Sequence, residues 1–237
     1  MKVSVKTDTL KYPVLGAGGL GLALRTLLYT TGVDGRGLLM HGHWAGIALN
    51  VLTVAVLAAV FFFTRSIHRG ACPARVPSAL GAFAALVGIA FTTGREFAEF
   101  SNRMHLIVWL LGICAMVAMG RIGLCRLTGK KPHFLLSAVF CIYCALRMVS
   151  RYQLWSSDPQ LQDYCFYLGA YMSLMLAAYH HAALNEGAGR HRSLWFFSLM
   201  TVYLCTVSLQ SGMDTLLLLG CGAWAFTNLP RLPRAEE

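Results

Sequence analysis

Charge is scarce in this 237-residue chain, and acid is scarcest: 13% of the residues are charged and only ten are Asp or Glu. Beside 57% hydrophobic residues and a mean hydropathy of +0.58, so small a polar complement excludes an ordinary soluble domain. Long polar connections are missing too. The hydrophobic stretches are joined by segments of at most about a dozen residues, so any function sits within a helical bundle or at its rims. No stretch carries a carboxylate near its middle, which weakens a proton-coupled pump. Catalytic, nucleotide-binding and metal-binding motifs are absent, and no cofactor is implied.

What is present is a series of apolar runs near twenty residues long, the length that crosses a bilayer as a helix. The pattern predicts an all-α polytopic integral membrane bundle, one transmembrane domain over 1–237. Its eight helices are expected near 12–32, 43–63, 77–94, 104–123, 133–152, 163–184, 193–209 and 212–229.

Sorting the charges by these stretches gives an orientation. Alternate connections hold Lys2, Lys6, Lys11, Arg65, Arg69, Arg75, Arg121, Arg126, Lys130, Lys131, Arg190, Arg192, Arg231 and Arg234 against only Asp8, Glu186, Glu236 and Glu237. The other connections and helix ends hold Arg25, Arg36, Arg95, Arg103, Arg147 and Arg151 against Asp34, Glu96, Glu99, Asp158, Asp163 and Asp214. The formal net charge of +10 therefore lies on one side. The positive-inside rule makes that side, with both termini, cytoplasmic. A pI near 9.4 would otherwise invite nucleic acid. Here the basic residues are scattered through short loops, as topology signals and contacts for anionic lipid, so the bilayer is the expected partner and nucleic acid is not.

Lys2, Lys6 and Lys11 before an apolar run also suit a cleaved signal peptide. The length of the run, Arg25 within it, and the lack of a small-x-small site at Tyr29-Thr30-Thr31 favour a retained signal-anchor helix.

Charges at membrane depth carry the most information, because Arg or Asp at the bilayer centre costs roughly 2.5–3.5 kcal/mol. Arg25 lies in the outer half of the first helix, ahead of Asp34. Arg147 and Arg151 sit one turn apart at the outer end of the fifth, ahead of Asp158. Snorkelling to the headgroups accounts for Arg151 and Arg147. Arg25 is deeper, and for it snorkelling stands level with facing the bundle interior to pair with an outer-rim carboxylate. A weak echo relates Leu24-Arg25, Tyr29 and Asp34 to Leu146-Arg147, Tyr152 and Asp158, as a four-plus-four repeat would, although coincidence explains it better.

Other polar features have plainer readings. His41 and His43 are weak metal-ligand candidates, which Glu96, Glu99, His105 or Asp163 would have to complete; wet histidines beside an interfacial Trp44 explain them better. Arg95-Glu96 and Glu99-x-x-x-Arg103 read as a short solvated turn held by its own charge pairs. Asp163 is placed to cap the sixth helix. His180-His181 suits a helix C-terminus. Cys141-x-x-Cys144 has redox spacing but lies in an apolar helix without a second ligand pair, where packing explains it. Tyr143, Tyr171 and the intramembrane threonines read as helix-interface residues. Seven-helix zinc hydrolases need a His-x-x-x-His pair that this chain lacks.

Asp34-Gly35-Arg36-Gly37-Leu38-Leu39 followed by His41, with Trp155-Ser156-x-Asp158-Pro159 and Asp163-Tyr164, resembles a group of uncharacterised multi-span membrane proteins of Gram-positive anaerobic bacteria. The resemblance implies an all-helical protein of the bacterial cytoplasmic membrane and transfers no catalytic residue. Three functions follow as expectations. The first is a sensory or assembly component that recognises a partner membrane protein, a second copy or a small ligand at its outer face, with Arg25, Asp34, Arg147, Arg151, Asp158 and Asp163 as binding candidates. The second is a transporter of a small anionic solute using Arg25, Arg147 and Arg151. The third, an enzyme built on metal at His41 and His43, is least favoured.

Overall fold

The structure is a computed structural model that describes residues 10–33, 39–40, 42–65, 67, 74–98, 103–155, 164–211 and 214–229. Among these residues it is all helical, with a single isolated bridge between Val33 and Leu39. The helices are α1 (Lys11–Thr31), α2 (Trp44–Thr64), α3 (Arg75–Ala98), α4 (Arg103–Leu127), α5 (Phe134–Trp155), α6 (Cys165–Asn185), α7 (His191–Val207) and α8 (Thr215–Thr227), with a 3-10 turn at Ser208–Ser211 between the last two. Eight helices thus stand where eight apolar stretches were read. Four of them, α2 to α5, are long and apolar enough to cross a membrane. The others fall short for different reasons: α1 and α6 carry polar side chains such as Arg25 and His181, while α7 and α8 have only 17 and 13 residues.

Consecutive helices run in opposite directions. Thr93 of α3 faces Gly112 of α4 while Phe83 faces Gly123, and α5 meets α6 through Cys141 and Met175 at one level and Arg147 and Tyr171 at another. Helices α3 to α8 pack in sequence and α8 returns to α3, which closes a six-helix ring. Inside it lies an apolar core that includes Ile89, Met119, Phe140, Leu174 and Leu217. The α1–α2 hairpin lies outside this ring against α7, around a second core of Leu49, Val56, Trp195, Leu199 and Tyr203. With neighbours on both sides, α7 buries most of its length. A hydrogen bond of 2.8 Å between Thr53 and the Tyr203 hydroxyl ties α2 to it.

The contact of α3 with α8 is the most extensive in the molecule, and small residues make it so. A side chain at Gly88 would stand 2.5 Å from the Leu216 carbonyl oxygen, and one at Gly220 would stand 2.4 Å from that of Ala84. The two backbones therefore touch, as they do when small residues let membrane helices approach closely.

Boundaries differ from expectation where tertiary contact decides them. Helix α3 continues past 94 to Ala98, so Arg95 and Glu96 belong to its last turn and not to a separate solvated turn. Helix α8 begins only at Thr215 and spans about 20 Å, well short of a bilayer core of about 30 Å. Asp214 at its head is therefore 1% exposed, drawn inside the ring.

Candidate functional site: an ion lattice inside the ring

At the end of the ring where α3 and α5 finish and α6 and α8 start, four charged side chains and two tyrosines form one network. Arg147 is 1% exposed. Its Nη1 pairs with Glu96 Oε1, its Nη2 donates to Asp214 Oδ1 at 2.5 Å, and its Nε donates to the Tyr171 hydroxyl at 3.2 Å. One turn later Arg151 clamps the same carboxylate from the other side, with Nε on Oδ2 at 3.1 Å and Nη2 on Oδ1 at 3.2 Å. Tyr171 donates its single proton to Asp214 Oδ2 at 3.2 Å. Its hydroxyl therefore accepts from Arg147, and the Tyr167 hydroxyl 3.2 Å away must be a donor to it. Fully buried Tyr143 lies beside Arg147 with its hydroxyl next to Thr92.

Counting lone pairs separates the two carboxylates. Asp214 accepts four hydrogen bonds, all that its two oxygens hold, so it is a closed node with no valence left for a ligand. Glu96 is different. Its Oε1 is held by Arg147, while its buried Oε2 has no hydrogen-bond partner among the described residues. Glu96 and Arg151 are also the members that reach the rim, at 16% and 15% exposure. Two cations and two anions make the lattice neutral. That neutrality is what allows it inside an apolar ring, since breaking one buried pair strands its partner's charge.

Arg25 faces inward as well, at 3% exposure, but into different company. Its Nη1 donates to the Val207 carbonyl at 3.2 Å and its guanidinium lies near the rings of Tyr29 and Phe166. The contacts that hold it come from α1, α6 and α7, and those that hold Arg147 come from α3, α5, α6 and α8. The echo between the two arginines thus joins residues in unlike environments. Asp34, His41, Asp158 and Asp163 lie outside the described residues, and with them most of the motifs behind the family resemblance. His43 is described, and its Nδ1 accepts from the Ala45 backbone at 3.4 Å as the N-cap of α2. Among the described residues no three His, Cys, Asp or Glu side chains gather as metal ligands.

Several plain readings change. Arg147 and Arg151 do not snorkel; they turn into the ring onto Asp214. Glu96 pairs across to α5 and not with its neighbour Arg95. Tyr171 is a lattice member rather than simple packing. At the opposite end of the ring His181 is buried, and its Nε2 lies 2.7 Å from Arg126 Nη2. A guanidinium only donates, so Nε2 accepts from Arg126 and the proton of the neutral ring sits on Nδ1. His180 stacks on Phe197 instead. The two histidines serve separate tertiary contacts, which the helix C-terminus alone did not foretell. Ser78 and Asn228 complete this end with a 2.6 Å bond between α3 and α8. Cys141 and Cys144 are free thiols against their neighbours.

No protein-family model, curated protein or solved structure matches the chain.

Proposed function

We propose that the chain is a multi-pass protein of the bacterial cytoplasmic membrane, with eight spans and both termini cytoplasmic, that recognises a partner protein or small ligand at its outer face as a sensory or assembly component. In this orientation the ion lattice lies at the outer end and the Arg126–His181 contact at the cytoplasmic end. The observation that carries the reading is the buried Oε2 of Glu96, which has no hydrogen-bond partner among the described residues although its side chain reaches the rim beside the closed Asp214 node. Such an oxygen calls for a hydrogen-bond donor, so the recognised group carries an N–H or O–H, most strongly an ammonium or guanidinium. Transport of a small anion is the weaker reading. Arg147 and Arg151 are already neutralised by Asp214 and Glu96, and Arg25 is held elsewhere on Val207.

Native mass spectrometry of the protein extracted from its own membrane in mild detergent tests the proposal. The expected result is a stoichiometric partner or a retained basic ligand, diminished in Glu96→Gln when that variant unfolds at a temperature close to wild type. A chain that emerges alone and without adduct would contradict the reading, and a retained anion would revive transport.

A further inference from the structure

The opposite rim carries a second feature that the outer-face reading does not use. Helix α4 ends in a Schellman turn: the Lys130 amide donates to the Cys125 carbonyl at 2.8 Å, the Gly129 amide donates to that of Arg126 at 3.2 Å, and Gly129 has φ +71°. The carbonyls that lysines often satisfy at a helix end are thus already met by backbone. Gly129 also has no side chain where the Arg75 guanidinium lies; a Cβ there would stand 2.9 Å from Arg75 Cζ. Arg75, from the first turn of α3, therefore lies across the α4–α5 turn beside exposed Lys130 and Lys131. Among the described residues no carboxylate is within ion-pair distance of these three cations. Within four residues of them along the chain are the exposed apolar side chains of Val76, Leu127 and Leu135.

Three exposed cations with no carboxylate partner among the described residues, next to exposed apolar side chains on the same helix ends, match the two halves of one molecule. We propose that Arg75, Lys130 and Lys131 form a headgroup seat for an anionic glycerophospholipid, whose phosphodiester lies over the Gly129 turn and whose acyl chains run down the faces of α3, α4 and α5. A soluble anion would need the charges but not the apolar side chains next to them. Each cation near an anionic membrane surface contributes about 1 kcal/mol, which is about fivefold in affinity.

The test is native mass spectrometry of the full-length protein released from nanodiscs of equimolar phosphatidylglycerol and phosphatidylcholine. Wild type is expected to retain phosphatidylglycerol in preference to phosphatidylcholine. Lys131→Gln should retain it about fivefold less, and the triple variant Arg75→Gln/Lys130→Gln/Lys131→Gln should lose the preference altogether. Arg192→Gln, on a different helix end against Phe61, should behave as wild type. Equal retention by wild type and Lys131→Gln would overturn the proposal. So would displacement of the lipid by glycerol 3-phosphate at millimolar concentration, which would assign the seat to a free phosphate ester.

Discussion

Asp214 binds two guanidiniums and a phenol in a space that leaves it 1% exposed, so the charge of each lattice member is tolerable only while the others remain. Arg147→Met leaves Glu96 and Asp214 with Arg151 alone, and Asp214→Asn leaves two arginines with Glu96 alone. Each single variant is expected to destabilise the protein by about 3–5 kcal/mol. The double variant restores neutrality, so its loss should fall short of the sum by more than about 1 kcal/mol. Thermal unfolding in micelles, read by a thiol-reactive fluorophore on buried Cys144, Cys205 and Cys221, measures all three. Strictly additive losses would mean that the pair is not coupled. Tyr171→Phe removes one bond to a carboxylate and one from a guanidinium and should cost about 1.5–3 kcal/mol in the same assay. Arg25, Arg147 and Arg151 stood out in the sequence because an arginine at membrane depth is costly, but for Arg147 and Arg151 the sequence suggested snorkelling and not burial. Their partners did not stand out. Glu96 stood between Arg95 and Glu99 in a segment whose charges balanced locally, and Asp214 counted as one carboxylate among six on that side.

At the scale of elements, hydropathy located all eight helices, because a run of apolar residues long enough to bury a helix is visible without knowing its neighbours. Helix ends were less visible. Where α3 stops and α8 starts depends on the ring that receives Glu96 and Asp214, and no local signal at Gly94 or Met213 reports it. Pairing was beyond reach for the same reason: nothing in Gly88 or Gly220 alone says that α3 lies against α8. The contact is nonetheless simple to test. Gly220→Ala sets a methyl 2.4 Å from the Ala84 carbonyl oxygen and should cost about 1–3 kcal/mol through forced separation of the helices. Gly19→Ala, in α1 with nothing within 4 Å of the added methyl, should be neutral or gain up to about 1 kcal/mol from helix propensity. Equal tolerance of the two substitutions would contradict the close approach of α3 and α8.

For the whole molecule, one end of the ring concentrates a neutral, buried ion lattice, and the other carries exposed cations that no carboxylate pairs among the described residues. In the proposed orientation the cations face an acidic cytoplasmic leaflet, and Glu96 and Arg151 lie at the outer face where the recognition reading needs them. Alternating helix directions make the orientation accessible to a single experiment. Gln153→Cys, exposed near the end of α5 beside the lattice, and Lys130→Cys, exposed in the α4–α5 turn, are each introduced into a chain whose exposed native thiols have been replaced. Both are then treated in intact cells with a membrane-impermeant maleimide. The expected result is labelling of Cys at 153 in intact cells and of Cys at 130 only after permeabilisation. Labelling of both positions in intact cells, or the reverse order, would contradict a membrane-spanning bundle that presents its ion lattice to the outside.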